Sequence, residues 1–377
     1  MNIQLNDTTT LLKKGAAISI QQALQSPLGE EEGHRIYPPT FIHEEGYFID
    51  QLPGGGNRAV IDTKQSQARR LAKKLIALNE TSDPQSQFLP DVTVSGAGAT
   101  KRIGEIGHRV GDAAVLLAKE VSKKAQDAIR AYNGGDSTLL ATWFPESLLF
   151  GFWDSHSLDS IKATNAKRSR IIHSEIHAYG VAMVRSKSMY MAVAPELVGE
   201  EEYNEGKGEE KLSTAGLANA PGKLSRDGVV ARSVTRSAEI NIASLRQLEC
   251  RKEDKTIDAP KTEAMRAYLL SLAALALLHP DTDELNLRSG TLLVPQPGSA
   301  KLQAVLRDGT RADLSVPEDL QGMASAAAKA WFLAATGNSV PPTLHGEIDR
   351  GMVAKVRKSL SSKSKKSKSD EAPAEAE

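Results

Sequence analysis

The run Leu269 to Leu278, LLSLAALALL, constrains the fold of this chain more than any other stretch. It is apolar on every side of a helix, about half the length a bilayer requires, and closed by Pro280 two residues on. Such a helix belongs inside a protein core, with other layers packed around it. Pro260 stands near its first turn, so punctuation and period together predict one helix from there to His279. At 377 residues the chain is long enough to build a core of that kind. The start, MNIQLNDTTTLLKK, lacks the basic and apolar regions of a secretory signal, so a cytoplasmic protein that meets no membrane is expected. The single cysteine, Cys250, leaves no intramolecular disulfide and no zinc site built on several thiolates.

Other helices are expected over Ser66 to Leu78, where Leu71, Leu75 and Leu78 recur at helical spacing, and from about Gly111 to Tyr132, ending at Asn133-Gly134-Gly135. A further one runs from about Gln321 to Ala335, ahead of Gly337. KLQAVL and RADLSV flank Asp308-Gly309 and form a hairpin signal. AVID before the first helix, TLLV at Thr291 and AEINIASL, with Ile240 and Ile242 alternating against polar neighbours, are strand patterns. The mixture predicts an α+β fold, a single elaborated domain over residues 1–354. Leu197 to Lys211, LVGEEEYNEGKGEEK, carries enough like charge to resist packing and is expected as an acidic mobile loop. The Lys/Ser block and DEAPAEAE of residues 355–377 predict a disordered charged tail.

Net charge is zero, 47 basic against 47 acidic residues, so any polyanion partner must be met by local segregation of charge. Segregation is present. From Ser160 to Tyr190 six cations face one carboxylate, Glu175, directly after the aromatic and glycine-containing turn LLFGFWDSHS. Three further clusters occur: Arg58 through Lys74, with Lys64-Gln65-Ser66-Gln67 at a strand-to-helix junction whose amides suit a phosphate; Lys101-Arg102 with His108-Arg109; and Lys223, Arg226, Arg232 and Arg236 in a turn-rich stretch. Nucleic acid is the first candidate ligand. Low aromatic content and the lack of an RNP-type aromatic run favour a grip on the sugar-phosphate strand over base reading.

Several catalytic patterns are set aside. His173 and His177 would share a helical face, but Glu175 does not directly follow the first histidine as the zinc-protease pattern demands. Gly54-Gly55-Gly56 and the glycines at 96 and 98 lack a GK[ST] ending, so turn glycines explain them and no cofactor is expected. Asp154, Ser155 and His156 are adjacent, whereas relay members converge from separated positions.

PPTF at Pro38, IDTKQSQARRL at Ile61, GHRVGDA at Gly107, PESLLFGFWDSHS at Pro145, KRSRIIHSEI at Lys167 and the stretch from Leu212 through SAEINIASLRQL follow in an order that resembles the CRISPR type I-G (formerly I-U) Cascade backbone subunit, a Cas-seven-like member of the RAMP superfamily. The resemblance spans about residues 35 to 290. It implies an RRM-like (ferredoxin-like) palm with inserted finger and thumb elements, stacked head-to-tail along one CRISPR RNA. It also implies partners: the target DNA strand paired to the guide, other copies of this chain, the subunit capping the guide 5′ end, the large subunit and the helicase-nuclease. Carried onto the matching blocks, Lys64, Arg69, Arg109, Arg168, Arg170, Lys223, Arg226 and Arg232 pair phosphates, while Gln65, Ser66 and His108 bond sugar or phosphate oxygens. Phe152 and Trp153 are expected in the palm core. No enzymatic activity is expected. The alternatives are target-RNA cleavage through Asp154, Asp159 or Asp227, and a homo-oligomeric scaffold that binds no nucleic acid.

Overall fold

The computed structural model describes residues 2–27, 33–36, 47–81, 83–155, 163–184, 186–190, 220–225, 228–280, 285–288 and 290–356. The expected acidic loop, Asp159, Arg226, Asp227 and the chain after residue 356 lie outside them. Residues 350–356 form a helical turn that contains Lys355, so helix extends into the start of the expected tail.

Six elements make the centre of the α+β fold. They are β1 (Gly15–Gln25), α1 (Lys64–Asn79), β2 (Ile172–Met183), β3 (Val229–Asn241), α2 (Ala259–Leu278) and β4 (Lys301–Leu306). Their strands lie in the order β4-β1-β3-β2, every neighbour antiparallel. The chain thus runs β-α-β-β-α-β, each helix bridging two strands that sit on either side of a third. Edge strands extend the sheet: Asn57–Asp62 and Ile49–Gln51 beyond β2, Arg311–Ser315 beyond β4, and Asn2–Gln4 paired in parallel with Arg311–Ser315.

Both helices cover one face. Alternation in β1 sends Ile18, Ile20 and Gln22 inward and leaves Ser19 and Gln21 on the other side, as period-two geometry requires. Ile18 and Ile240 join Leu71 and Leu75 of α1 and Leu272 of α2 in one buried cluster. The apolar run in α2 is buried almost all round because a second helix, Leu320–Thr336, packs on it, with Tyr268 stacked on Trp331 at 6.3 Å between ring centroids. Asp258 caps α2 by accepting from the Lys261 amide at 3.2 Å, and Pro260 occupies its first turn as expected.

The chain between α1 and β2 builds a second layer. Asp91–Gly96 and Ala99–Arg102 form a hairpin, to which Thr343–Glu347 from the far end of the chain adds in parallel. The helix expected from Gly111 to Tyr132 is instead two, Ala113–Leu116 and Lys119–Asn133. The break at Leu117-Ala118 is where the end of that distant strand passes: Ala118 bridges Ile348, and the Asp349 amide donates to Leu117 O at 2.9 Å. AEINIASL also differs from expectation. Its strand stops at Asn241, whose Oδ1 accepts from the Ser244 amide at 2.7 Å and caps the short helix Ile242–Arg246. Ile242 is buried at the start of that helix, so the alternating isoleucines reflect burial on both sides of a strand-to-helix junction.

Candidate nucleic-acid interface

The face of the sheet opposite the helices is polar. In register across it, His173 lies opposite Glu239, Glu239 opposite Ser19 and Ser19 opposite Gln303; Glu175 lies opposite Ser237 and Ser237 opposite Gln21. Lys64, the first residue of α1, reaches onto this face and pairs with Glu175 at 3.5 Å. A shallow cavity of about 280 Å³ runs between Lys64, His173, Glu175, Ser237 and Glu239. His173 and His177 lie on a strand, not the expected helix, and among the described residues no cluster suited to a metal includes them.

His173 also lines a second cavity of about 280 Å³, at the start of β2. Here Gln65 from the first turn of α1, Gly107 to Arg109, Phe150 to Trp153 and Lys167 to Arg170 come together, and the lining holds no carboxylate. Two of the four basic clusters expected from sequence bring cations into it, and a third, at the start of α1, contributes the uncharged Gln65. Gly151 sets the corner: its φ is +80°, and an added Cβ would lie 2.8 Å from Arg168 O. That close approach lets Phe152–Trp153 pair with Lys167–Arg168 as a short antiparallel ladder beside the opening.

Arg109 is placed at a cost. Its φ of +52° lies in the left-handed region, an uncommon conformation for a residue with a Cβ, and its side chain is only 3% exposed. Its Nη1 donates to Phe150 O at 3.2 Å and Gly151 O at 3.0 Å, and its guanidinium lies 5.2 Å from the Phe150 ring centroid. Arg168 is likewise buried and donates through Nη2 to Ser244 O and Ser244 Oγ, both at 2.7 Å. Arg170 is half-buried and donates to Gln65 Oε1. Burial first, then the Arg170 charge, brings the Arg109 guanidinium down to about 10. Burial also lowers Arg170. Beneath Arg109, Glu146 is wholly buried, and desolvation pushes its carboxyl up to about 7.

The remaining candidates divide. Lys64, Gln65 and Arg69 are exposed, His108 is exposed, and Ser66 is half-buried with its amide donating to the helix cap Thr63 Oγ1 at 3.2 Å. Lys223 stands in the strand Ala220–Ser225, paired with Ser186–Tyr190. Arg232 is exposed on β3 beside Gly180, roughly 26 Å along the strands from the second cavity at 3.3 Å per residue. It does not join the others there. Arg236, from the same sequence cluster, is buried against Ser174 and Leu277. Lys101 and Arg102 are paired with Glu105 and Asp91.

Phe152 is buried as expected, but Trp153 is 45% exposed, a correction to the expectation that both pack the core. Strand alternation is the cause: adjacent residues of Phe152–Trp153 face opposite ways, and only one can face Tyr132 and the core. The Trp153 ring meets His108 edge-on at 6.5 Å, and the Lys167 ammonium sits 5.5 Å from its centroid. Asp154 is buried and accepts from the Thr164 amide at 2.8 Å and its hydroxyl at 2.6 Å, which fixes the turn after Trp153.

Among the described residues no helix is long and apolar enough to cross a membrane. No curated protein matches the chain. Residues 18–183, which hold most of β1, all of α1 and β2, and both cavities' lining from those elements, are similar to the family described as CRISPR-associated protein GSU0053, and this match supports a CRISPR-associated protein.

Proposed function

We propose that the chain is the guide-binding backbone subunit of a type I-G Cascade, stacked in multiple copies along one CRISPR RNA for recognition of target DNA. The observation that carries this reading is the meeting of Gln65, His108, Arg109, Arg168 and Arg170 in one carboxylate-free cavity that opens beside a polar sheet face. The β-α-β-β-α-β core then serves as the RRM-like palm. Contacts from Lys64, Arg69 and Arg170 to phosphates leave base edges free to pair with a target strand. Growth along RNA is heterologous, each copy offering two different faces to its neighbours. The guide 5′-end cap subunit, the large subunit and the helicase-nuclease complete the assembly, and cleavage lies outside this chain. Asp154, held by Thr164, serves structure rather than catalysis.

The test is co-expression with a CRISPR array, with the 260/280 nm absorbance ratio and the extracted RNA as readouts. Uniform guide-length RNA in a large particle is expected. A monomer free of RNA would return the scaffold reading.

A further inference from the structure

We propose that the cavity at the start of β2 is a subsite for one nucleoside monophosphate unit, its phosphate against the cationic cluster of Arg109, Lys167, Arg168 and Arg170 and its base on the Trp153 ring. The proposal rests on the nucleic-acid reading above and specifies where on the chain a nucleotide is held.

Three observations meet in this one place. The Nε atoms of Arg109, Arg168 and Arg170 are buried and have no hydrogen-bond partner among the described residues, and all three residues line the cavity. Arg109 and Arg168 are themselves more than nine-tenths buried. A buried charged donor left unpaired is costly, and three such donors in the wall of one cavity favour a ligand that carries negative charge and several oxygens. A phosphate meets that need.

The second observation is electrostatic. The lining brings Arg109, Lys167, Arg168 and Arg170 together with no carboxylate, and Arg170 disfavours the charged form of Arg109. An anion relieves that repulsion. The third is Trp153, 45% exposed at the rim; among the described residues most other aromatic side chains are packed inside, and Phe48 is the other large exposed ring. An indole beside a cationic cavity supplies a stacking surface that tolerates any base. At about 280 Å³ the cavity falls at the lower bound of small-molecule pockets, so it holds one unit and not a length of strand.

Trp153 is also a reporter, and the test uses the full chain. Tryptophan fluorescence is titrated with AMP, with adenosine, and with a 12-nucleotide single-stranded RNA whose binding is followed separately by anisotropy. Quenching by the RNA is expected, along with its loss in Trp153→Phe and a loss of RNA affinity of roughly tenfold in Trp153→Ala. Quenching by AMP as well assigns the site to free nucleotides too; quenching by RNA alone assigns it to a residue of a strand. RNA that binds by anisotropy without quenching, at equal affinity in Trp153→Ala, overturns the subsite and leaves the guide-binding reading intact. Quenching by AMP without any RNA binding retains the subsite and removes that reading. Adenosine binding as well as AMP would overturn the role given to the arginines.

Discussion

The two ends of the β2-β3 pair use their cations differently. At the end where β2 begins, Arg109 and Arg168 are buried and hold the corner together through carbonyls of Phe150, Gly151 and Ser244. At the other end, Arg232 is exposed beside Gly180 and Arg58 makes an exposed ion pair with Asp50 at 3.4 Å. The near end is a built site in which charge and architecture cannot be separated. The far end is a solvated surface on which charge can be changed alone. A basic cluster in sequence therefore does not define one kind of residue, and mutating both ends alike would confuse unfolding with loss of binding.

The comparison breaks most readily at Arg109. Arg109→Ala should destabilise the chain by about 3–5 kcal/mol, since it strands the Phe150 and Gly151 carbonyls and leaves a cavity where the buried guanidinium packs on the Phe150 ring. Urea unfolding would measure this, and a change within about 0.5 kcal/mol would show that the near end is as solvated as the far one.

A smaller effect, of opposite sign, is expected at Glu146. Its carboxyl is raised from 4.5 to about 7 by burial, so the folded chain keeps a proton that the unfolded chain has lost above about pH 4.5. Stability then declines as pH rises from about 4.5 to about 7. Glu146→Gln removes that decline and should be more stable than the parent by about 3 kcal/mol at pH 8, with no difference below pH 4.5. Parallel pH-stability curves for the two proteins would refute the burial argument.

The smallest stability change is expected at the exposed cations. Arg232→Glu should leave unfolding within about 0.5 kcal/mol of the parent, and Lys64→Gln, which removes the partly exposed pair with Glu175, within about 1 kcal/mol. If both touch an RNA backbone, each lowers the slope of log affinity against log salt by about 1. A change for Lys64 alone would confine the strand to the near end and sharpen the contrast.

Local features were legible in the sequence wherever one segment decided them. Leu71, Leu75 and Leu78 gave α1 its period, Pro260 and Pro280 bracketed α2, and Asp308-Gly309 marked the hairpin between β4 and Arg311–Ser315. Features decided by distant segments were not. The break at Leu117-Ala118 depends on Ile348, and the burial of Arg168 depends on Ser244. The cationic residues of the second cavity were all named from sequence, yet nothing local distinguished Arg109 from Arg69, one buried and one exposed. The Trp153 error had a usable signal: it follows a buried phenylalanine in a two-residue strand, and alternation should have sent it outward.

Thr343–Glu347 completes the small sheet begun by Asp91–Gly96, its partner some 250 residues earlier in the chain. During synthesis the hairpin Asp91–Gly96 and Ala99–Arg102 emerges long before that strand exists. At roughly 5–20 residues per second, its open edge waits for tens of seconds on the ribosome. That edge lies in the same inserted layer that supplies His108, Arg109 and Trp153. Every residue lining the second cavity lies between Gln65 and His173, so its cations emerge while that edge is still open.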